Sequence, residues 1–197
     1  MRKNNKDKIL SAARRLFLKY GYNGISLRAI AREAKLTTGA VYFHFKNKMD
    51  IYRTICHEAI DILVKEFTTG LNRGERINQK LISTFDSYIR FFYEHSDYYN
   101  ILMEYKASYD QEGNSKNNGI AERMSRLTTF AQNTIEEGIK AGEFRTLDTS
   151  MLSLFLASIA EGMLQYKNMG LFDFYGVSDR DFRKFMADVI GRGIQSG

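Results

Sequence analysis

Apolar residues recur at helical spacing almost from the start of the chain. Ile9, Ala13, Leu16, Phe17 and Tyr20 share one side of a helix over roughly residues 5–20, and Gly21 follows where a left-handed C-cap is favoured. Ser26 is placed to cap a second helix carrying Leu27, Ile30, Ala31 and Ala34. After Lys35-Leu36-Thr37 a short third segment runs from Thr38 to Phe43. Asn47 then precedes a fourth run, with Asp50 in its first turn near the positive end of the helix dipole. That run, about residues 48–69, carries Ile51, Ile55, Ile62, Leu63 and Phe67. Residues 75–94 follow with Ile77, Leu81, Phe85, Tyr88, Ile89 and Phe92, then a shorter stretch from Ser96 to about Ser108. Tyr109–Gly119 is polar and rich in Asn, Gly and Ser, which predicts a loop. Ile120, Met124, Leu127, Ala131 and Ile135 mark the next helix, closed by Gly142. Asp148 can cap one carrying Leu152, Phe155, Leu156, Ile159, Met163 and Tyr166. Ser178, with Asp181 behind it, can start the last, carrying Phe182, Phe185, Met186, Val189 and Ile190. No alternating pattern of strand length competes, and no internal repeat is present. The expectation is an all-α chain of about nine helices.

Composition agrees. Proline is absent and 44% of residues are hydrophobic, so long uninterrupted helices and a substantial core are both available. The one cysteine, Cys56, has no internal partner, as in a reducing compartment. No signal-peptide apolar region follows the basic start, and the most apolar stretch, Met151–Leu164, contains Glu161 and is too short to span a bilayer. A soluble, cytoplasmic protein without a membrane partner is expected. The net charge of +6 is unevenly placed. Residues 1–50 hold twelve Lys/Arg against three Asp/Glu, a surplus of nine, whereas residues 51–197 hold 17 against 20. A cationic head on a slightly anionic body suits a polyanion partner, although charge alone also fits an ordinary solvated basic surface.

Residues 26–45 have the layout of a helix-turn-helix. Ala31 is small where two helices must approach, Leu36 plugs the turn, and Val41 reaches back to the first of the pair. The following residues, Val41-Tyr42-Phe43-His44-Phe45-Lys46-Asn47-Lys48, closely resemble the Tyr-x-His-Phe-x-x-Lys signature of the tetracycline-repressor (TetR) family. Ala13–Gly21 and Ile30-Ala31-Arg32-Glu33-Ala34 are similar to that family's first two helices, and the specific likeness covers about residues 5–53. One departure stands out: Lys35 occupies a turn position where the family usually has glycine, and a left-handed lysine costs about 1 kcal/mol relative to glycine. The resemblance implies a DNA-binding domain over residues 1–47 and a ligand-sensing, dimerisation domain over 48–197. It also implies a dimer on a palindromic operator of double-stranded DNA, most often as a repressor.

The residues themselves point the same way. Thr37, Thr38, Gly39 and Ala40 are small groups that let a helix sit deep in a major groove, near thymine methyls and base-edge acceptors. Tyr42 and His44 are candidate phosphate contacts, Lys48 a cationic one beside free amides, and Arg28 a long contact to a base edge or phosphate. Each has a structural alternative: Thr37 as a cap, Tyr42 as part of the core, His44 as a surface histidine. Phe43 and Phe45 read as core, facing Leu16 and Phe17.

In the body, Leu152, Phe155, Ile159 and Met163, with Phe182, Phe185, Met186 and Val189, form apolar stripes. By resemblance these meet their symmetry mates in a four-helix bundle; burial within one chain is the alternative. Phe85, Tyr88, Phe92, Tyr105 and Phe130 are candidate linings of an apolar pocket for a small-molecule effector, with Glu104 or Glu161 as polar anchor; plain core is the competing assignment. Enzymatic chemistry has little footing. There is no Gly-x-Ser-x-Gly elbow, phosphate-binding glycine loop or zinc-ligand set, and no cofactor is implied. The remaining competitor is a helical scaffold whose basic head binds acidic partners without DNA sequence preference.

Overall fold

The computed structural model describes residues 4–71, 76–109 and 120–195. They form ten helices: α1 (Asn5–Tyr20), α2 (Leu27–Glu33), α3 (Thr38–His44), α4 (Lys48–Leu71), α5 (Ile77–Glu94), α6 (Ser96–Tyr109), α7 (Ile120–Lys140), α8 (Thr149–Asn168), α9 (Leu171–Phe174) and α10 (Asp179–Ile194). Of the polar stretch expected as a loop, Tyr109 closes α6 and the rest lies outside the described residues, as do the side chains of Tyr109 and Met124. The one-turn α9 was not legible in the periodicity. Among the described residues no helix is long and apolar enough to cross a membrane.

The helix starts follow from their capping residues. Side-chain oxygens of Ser26, Thr37, Asp148 and Ser178 accept the backbone N–H groups of Ala29, Ala40, Met151 and Asp181 at 3.3, 3.1, 2.8 and 3.1 Å. Each satisfies an amide that the helix cannot, a contribution of about 1 kcal/mol.

The chain divides into two compact units, Met1–Ile62 with His95–Ala121, and Leu63–Glu94 with Glu122–Gly197. In the first, α1 packs on α2, α3 and α6. Its core is Ile9, Ala12, Ala13, Phe17, Ile30, Val41, Ile51 and Ile55, all essentially inaccessible to solvent. Two adjacent alanines on α1 let neighbouring backbones come close, which larger residues would prevent. In the second, α8 packs on α5 and α9. Phe172 of α9 is buried with its ring centroid 5.0 Å from that of Phe182. Phe144 lies over Gly138 of α7, where a Cβ would come within 2.2 Å of the ring, so only glycine fits. The Arg145 N–H donates to the Ile194 carbonyl at 2.9 Å, tying the end of α10 to the segment after α7.

Between α2 and α3, Lys35 is the one non-glycine residue among those described with positive φ, at 55°. The left-handed turn expected from the sequence is therefore made, with lysine bearing its strain. The Leu36 N–H donates to the Ala31 carbonyl at 2.9 Å, closing the end of α2 around it. Lys35→Gly is expected to stabilise the head by about 1 kcal/mol, which raises a thermal melt by about 3 °C.

Three titratable groups in the first unit resist ionisation. Burial, reinforced by the Glu104 charge, pushes the Cys56 thiol up to about 12 and raises the Tyr52 phenol. Burial and the Glu58 charge push the Tyr98 phenol up to about 12. All three pKa values are higher folded than unfolded. Above about pH 9 the unfolded chain therefore binds fewer protons than the native one, and stability falls as pH rises. Denaturation midpoints are expected to hold below pH 8 and to decline steadily between 9 and 12. Cys56→Ala should flatten the first part of that decline.

Candidate nucleic-acid interface

The geometry of α2 and α3 follows from a few buried residues. Ile30 and Ala31 on α2, its C-cap Ala34 and Val41 on α3 are buried, and Leu36 is half-buried in the turn between the helices. α2 thus packs on both α1 and α3 with its apolar side, leaving the outer face of α3 to solvent. Thr37 is both exposed and a cap, its hydroxyl bonded to Ala40 N–H; the two readings of that residue are compatible.

The candidate contact residues on α2 and α3 reach solvent to different degrees. Arg28, Gly39 and Tyr42 are exposed, and Thr38, Ala40 and His44 are half-buried. Phe45 is buried as expected, but Phe43 is 85% exposed, which corrects its assignment to the core. The two phenylalanines lie two positions apart, and α3 ends between them at His44. Phe45 therefore has extended backbone and turns inward while Phe43 stays on the outer face. The Phe43 ring meets His44 edge-on, with centroids 5.1 Å apart.

Lys48 also makes contacts within the head. Its ammonium donates to the carbonyls of Tyr22 and Ile25 at 2.6 and 2.9 Å and sits 4.2 Å from the Tyr22 ring centroid. Burial lowers its pKa. Two of its three N–H groups thus hold the α1–α2 connection.

Sequence reasoning missed the partner of this clamp, Glu104 of α6. Its Oε1 accepts the Tyr22 N–H at 3.0 Å, and its Oε2 accepts the Tyr52 hydroxyl at 3.1 Å. Tyr22 and Tyr52 rings lie 4.9 Å apart, and Phe17 meets Tyr52 edge-on at 4.8 Å. Glu104, considered a pocket anchor from sequence, is instead a structural acceptor for the connection between the first two helices. Tyr105 is buried in the first unit, its ring 5.9 Å from that of Tyr52, apart from the other aromatic residues named for a pocket. No local signal marks these roles, since α6 is far from α1 in sequence.

The other proposed pocket residues fall in the second unit. Phe85, Tyr88, Phe130 and Glu161 are half-buried and Phe92 is buried. The Tyr88 hydroxyl donates to Glu161 Oε2, Gln165 donates to Oε1 at 3.3 Å, and Phe67 stands edge-on to Tyr88. The apolar stripes divide. Phe155, Phe185 and Val189 are at least half exposed, and Leu152, Ile159 and Phe182 are half-buried. Met163 and Met186, placed at an interface from sequence, are buried inside the unit, a correction that reflects burial within the chain. Met151 and Leu154, which sequence reasoning did not single out, are more exposed than Phe155.

Residues 9–55 match the model for "Bacterial regulatory proteins, tetR family". Over 175 residues, 83% of this chain and 86% of the relative, the sequence is 26% identical to the HTH-type transcriptional regulator QacR of Staphylococcus aureus. Over 54 residues, 27% of this chain and 26% of the relative, it is 44% identical to the HTH-type transcriptional repressor BepR of Brucella suis. A bacterial regulatory protein in the tetR family from Rhodococcus RHA1 shares the fold, with a TM-score of 0.79 at 21% identity over 99% of each chain.

Proposed function

We propose that the chain is a member of the tetR family of bacterial regulatory proteins, whose model matches residues 9–55, and that it is a ligand-responsive repressor, cytoplasmic and homodimeric, that binds a palindromic operator. The family and the named relatives are transcriptional regulators, not enzymes. The observation that carries the finer reading is the outer face of α3, where the small Gly39 and Ala40 precede the exposed Tyr42, on a head with an exposed Arg28 and nine surplus positive charges. Residues 1–47 read the DNA. Arg28, Thr37, Thr38, Gly39 and Ala40 meet the major groove, and Tyr42 and His44 meet phosphates on its flank. Lys48 braces the head through its two carbonyl contacts and keeps one N–H for a phosphate. Residues 48–197 sense and dimerise, through Leu152, Phe155, Ile159, Phe182, Phe185 and Val189. Twofold symmetry then sets the two recognition helices about 34–36 Å apart.

The effector is small and apolar or aromatic. Phe85, Tyr88, Phe92 and Phe130 supply the lining, and Glu161 the polar anchor. It releases DNA by binding the non-DNA-binding state more tightly, since equal affinity for both states shifts nothing. We assign the transmission to α4, which runs unbroken from Lys48 to Leu71. Gel shifts with the gene's own upstream region, a scrambled duplex and a salt series test the reading. Specific binding should exceed scrambled binding by at least 10³-fold, with sedimentation showing a dimer. Equal binding to both duplexes would instead mark a scaffold with a basic head.

A further inference from the structure

One strip of the α3 surface carries no hydrogen-bonding side chains. Gly39 and Phe43 are four residues apart, and Ala40 and Phe43 three, so all three share one side of the helix. Phe43 is the most exposed large apolar residue among those described, and its neighbours on that side offer only hydrogen and methyl groups. Val41 and Phe45 meet the core's needs from this segment, so folding does not require a phenyl ring at position 43. A ring left in water near the end of a DNA-reading helix is unfavourable unless a partner covers it.

Of the features that base pairs present in the major groove, one is apolar: the 5-methyl group of thymine. The others are donors or acceptors that a phenyl ring, a methyl group and a bare Cα cannot satisfy. We infer that Phe43, with Gly39 and Ala40 giving it close approach, recognises a thymine methyl in each operator half-site. The inference rests on the operator-binding reading and adds to it the chemical group that α3 reads. Tyr42 and Arg28, exposed on the same head, retain the polar contacts.

The test uses the full-length protein and duplexes it enriches from a random-sequence pool. Thymines of the enriched half-site are replaced one at a time by deoxyuracil, which removes only the methyl group. At one position or more the replacement is expected to weaken wild-type binding by about fourfold to tenfold. In Phe43→Ala the same replacement should change affinity by less than about twofold, because the group that senses the methyl is gone. Phe43→Leu should keep an intermediate sensitivity. The side chain is solvent-exposed, so both variants should melt with the wild type, which a thermal scan checks. The inference is overturned if no thymine shows coupling to Phe43, or if enriched half-sites lack thymine, while specific binding persists. A pool from which nothing is enriched would overturn the operator-binding reading along with it.

Discussion

Gly39→Asp is expected to lower operator affinity by at least 100-fold without loosening the head. The two halves of that expectation rest on separate physics. A Cβ built at Gly39 meets nothing closer than the Thr37 hydroxyl at 3.9 Å, an ordinary contact, so the fold has room for the side chain. Glycine inside a helix costs about 0.5–1 kcal/mol relative to alanine, and an acidic group in the first helical turn faces favourable amide dipoles. The melting temperature should therefore stay level or rise. DNA sees the same change as a carboxylate brought against phosphates, in the gap through which α3 approaches the bases. Gly39→Ala separates the terms, because it adds one methyl without charge. It should share the stability gain and lose affinity only on the order of tenfold. A titration of both variants against a duplex carrying the selected operator decides the matter. Full affinity in Gly39→Asp would remove α3 from the interface altogether.

The local features of this chain were legible because they are written within single helices. Ser26, Thr37, Asp148 and Ser178 each cap from a position that the apolar spacing already implied, and Lys35 adopts the left-handed turn its place required. What sequence could not supply was the partner of each apolar face. Periodicity says that Phe155, Met163, Phe185 and Met186 belong to apolar stripes. It does not say that the two methionines are covered within the chain while the two phenylalanines are left bare. Phe43 shows the same blindness on a shorter scale: one residue before the end of α3, its direction depends on where the helix stops. Lys48 and Glu104 also carry a structural duty that no local pattern announces, because their partners lie on other elements. In the structure both serve the six residues that join α1 to α2.

That joint is where the largest stability effect is expected. Glu104→Ala removes the carboxylate that accepts both the Tyr22 amide and the almost wholly buried Tyr52 hydroxyl, leaving the hydroxyl the Ile101 carbonyl at 3.2 Å. Hydrogen bonds to a charged acceptor are worth about 1.5–3 kcal/mol each, and coupling between them keeps the sum below twice that, so a loss of about 3 kcal/mol is expected. Glu104→Gln preserves one carbonyl acceptor and replaces the other oxygen with a donor, which should return roughly half of that loss. The Lys48 ammonium holds the same connection through its carbonyls, so Lys48→Met attacks the joint from the opposite polarity. If the two residues clamp one element, the double variant should lose less stability than the sum of the single ones, by about 0.5 kcal/mol or more. Urea denaturation of the four proteins measures this directly. Strict additivity would mean that the two groups secure independent parts of the head. The consequence for function follows from position: α2 enters from this connection at Leu27, so a loosened joint frees the helix that supports α3, and operator binding should weaken even at temperatures where the head remains folded.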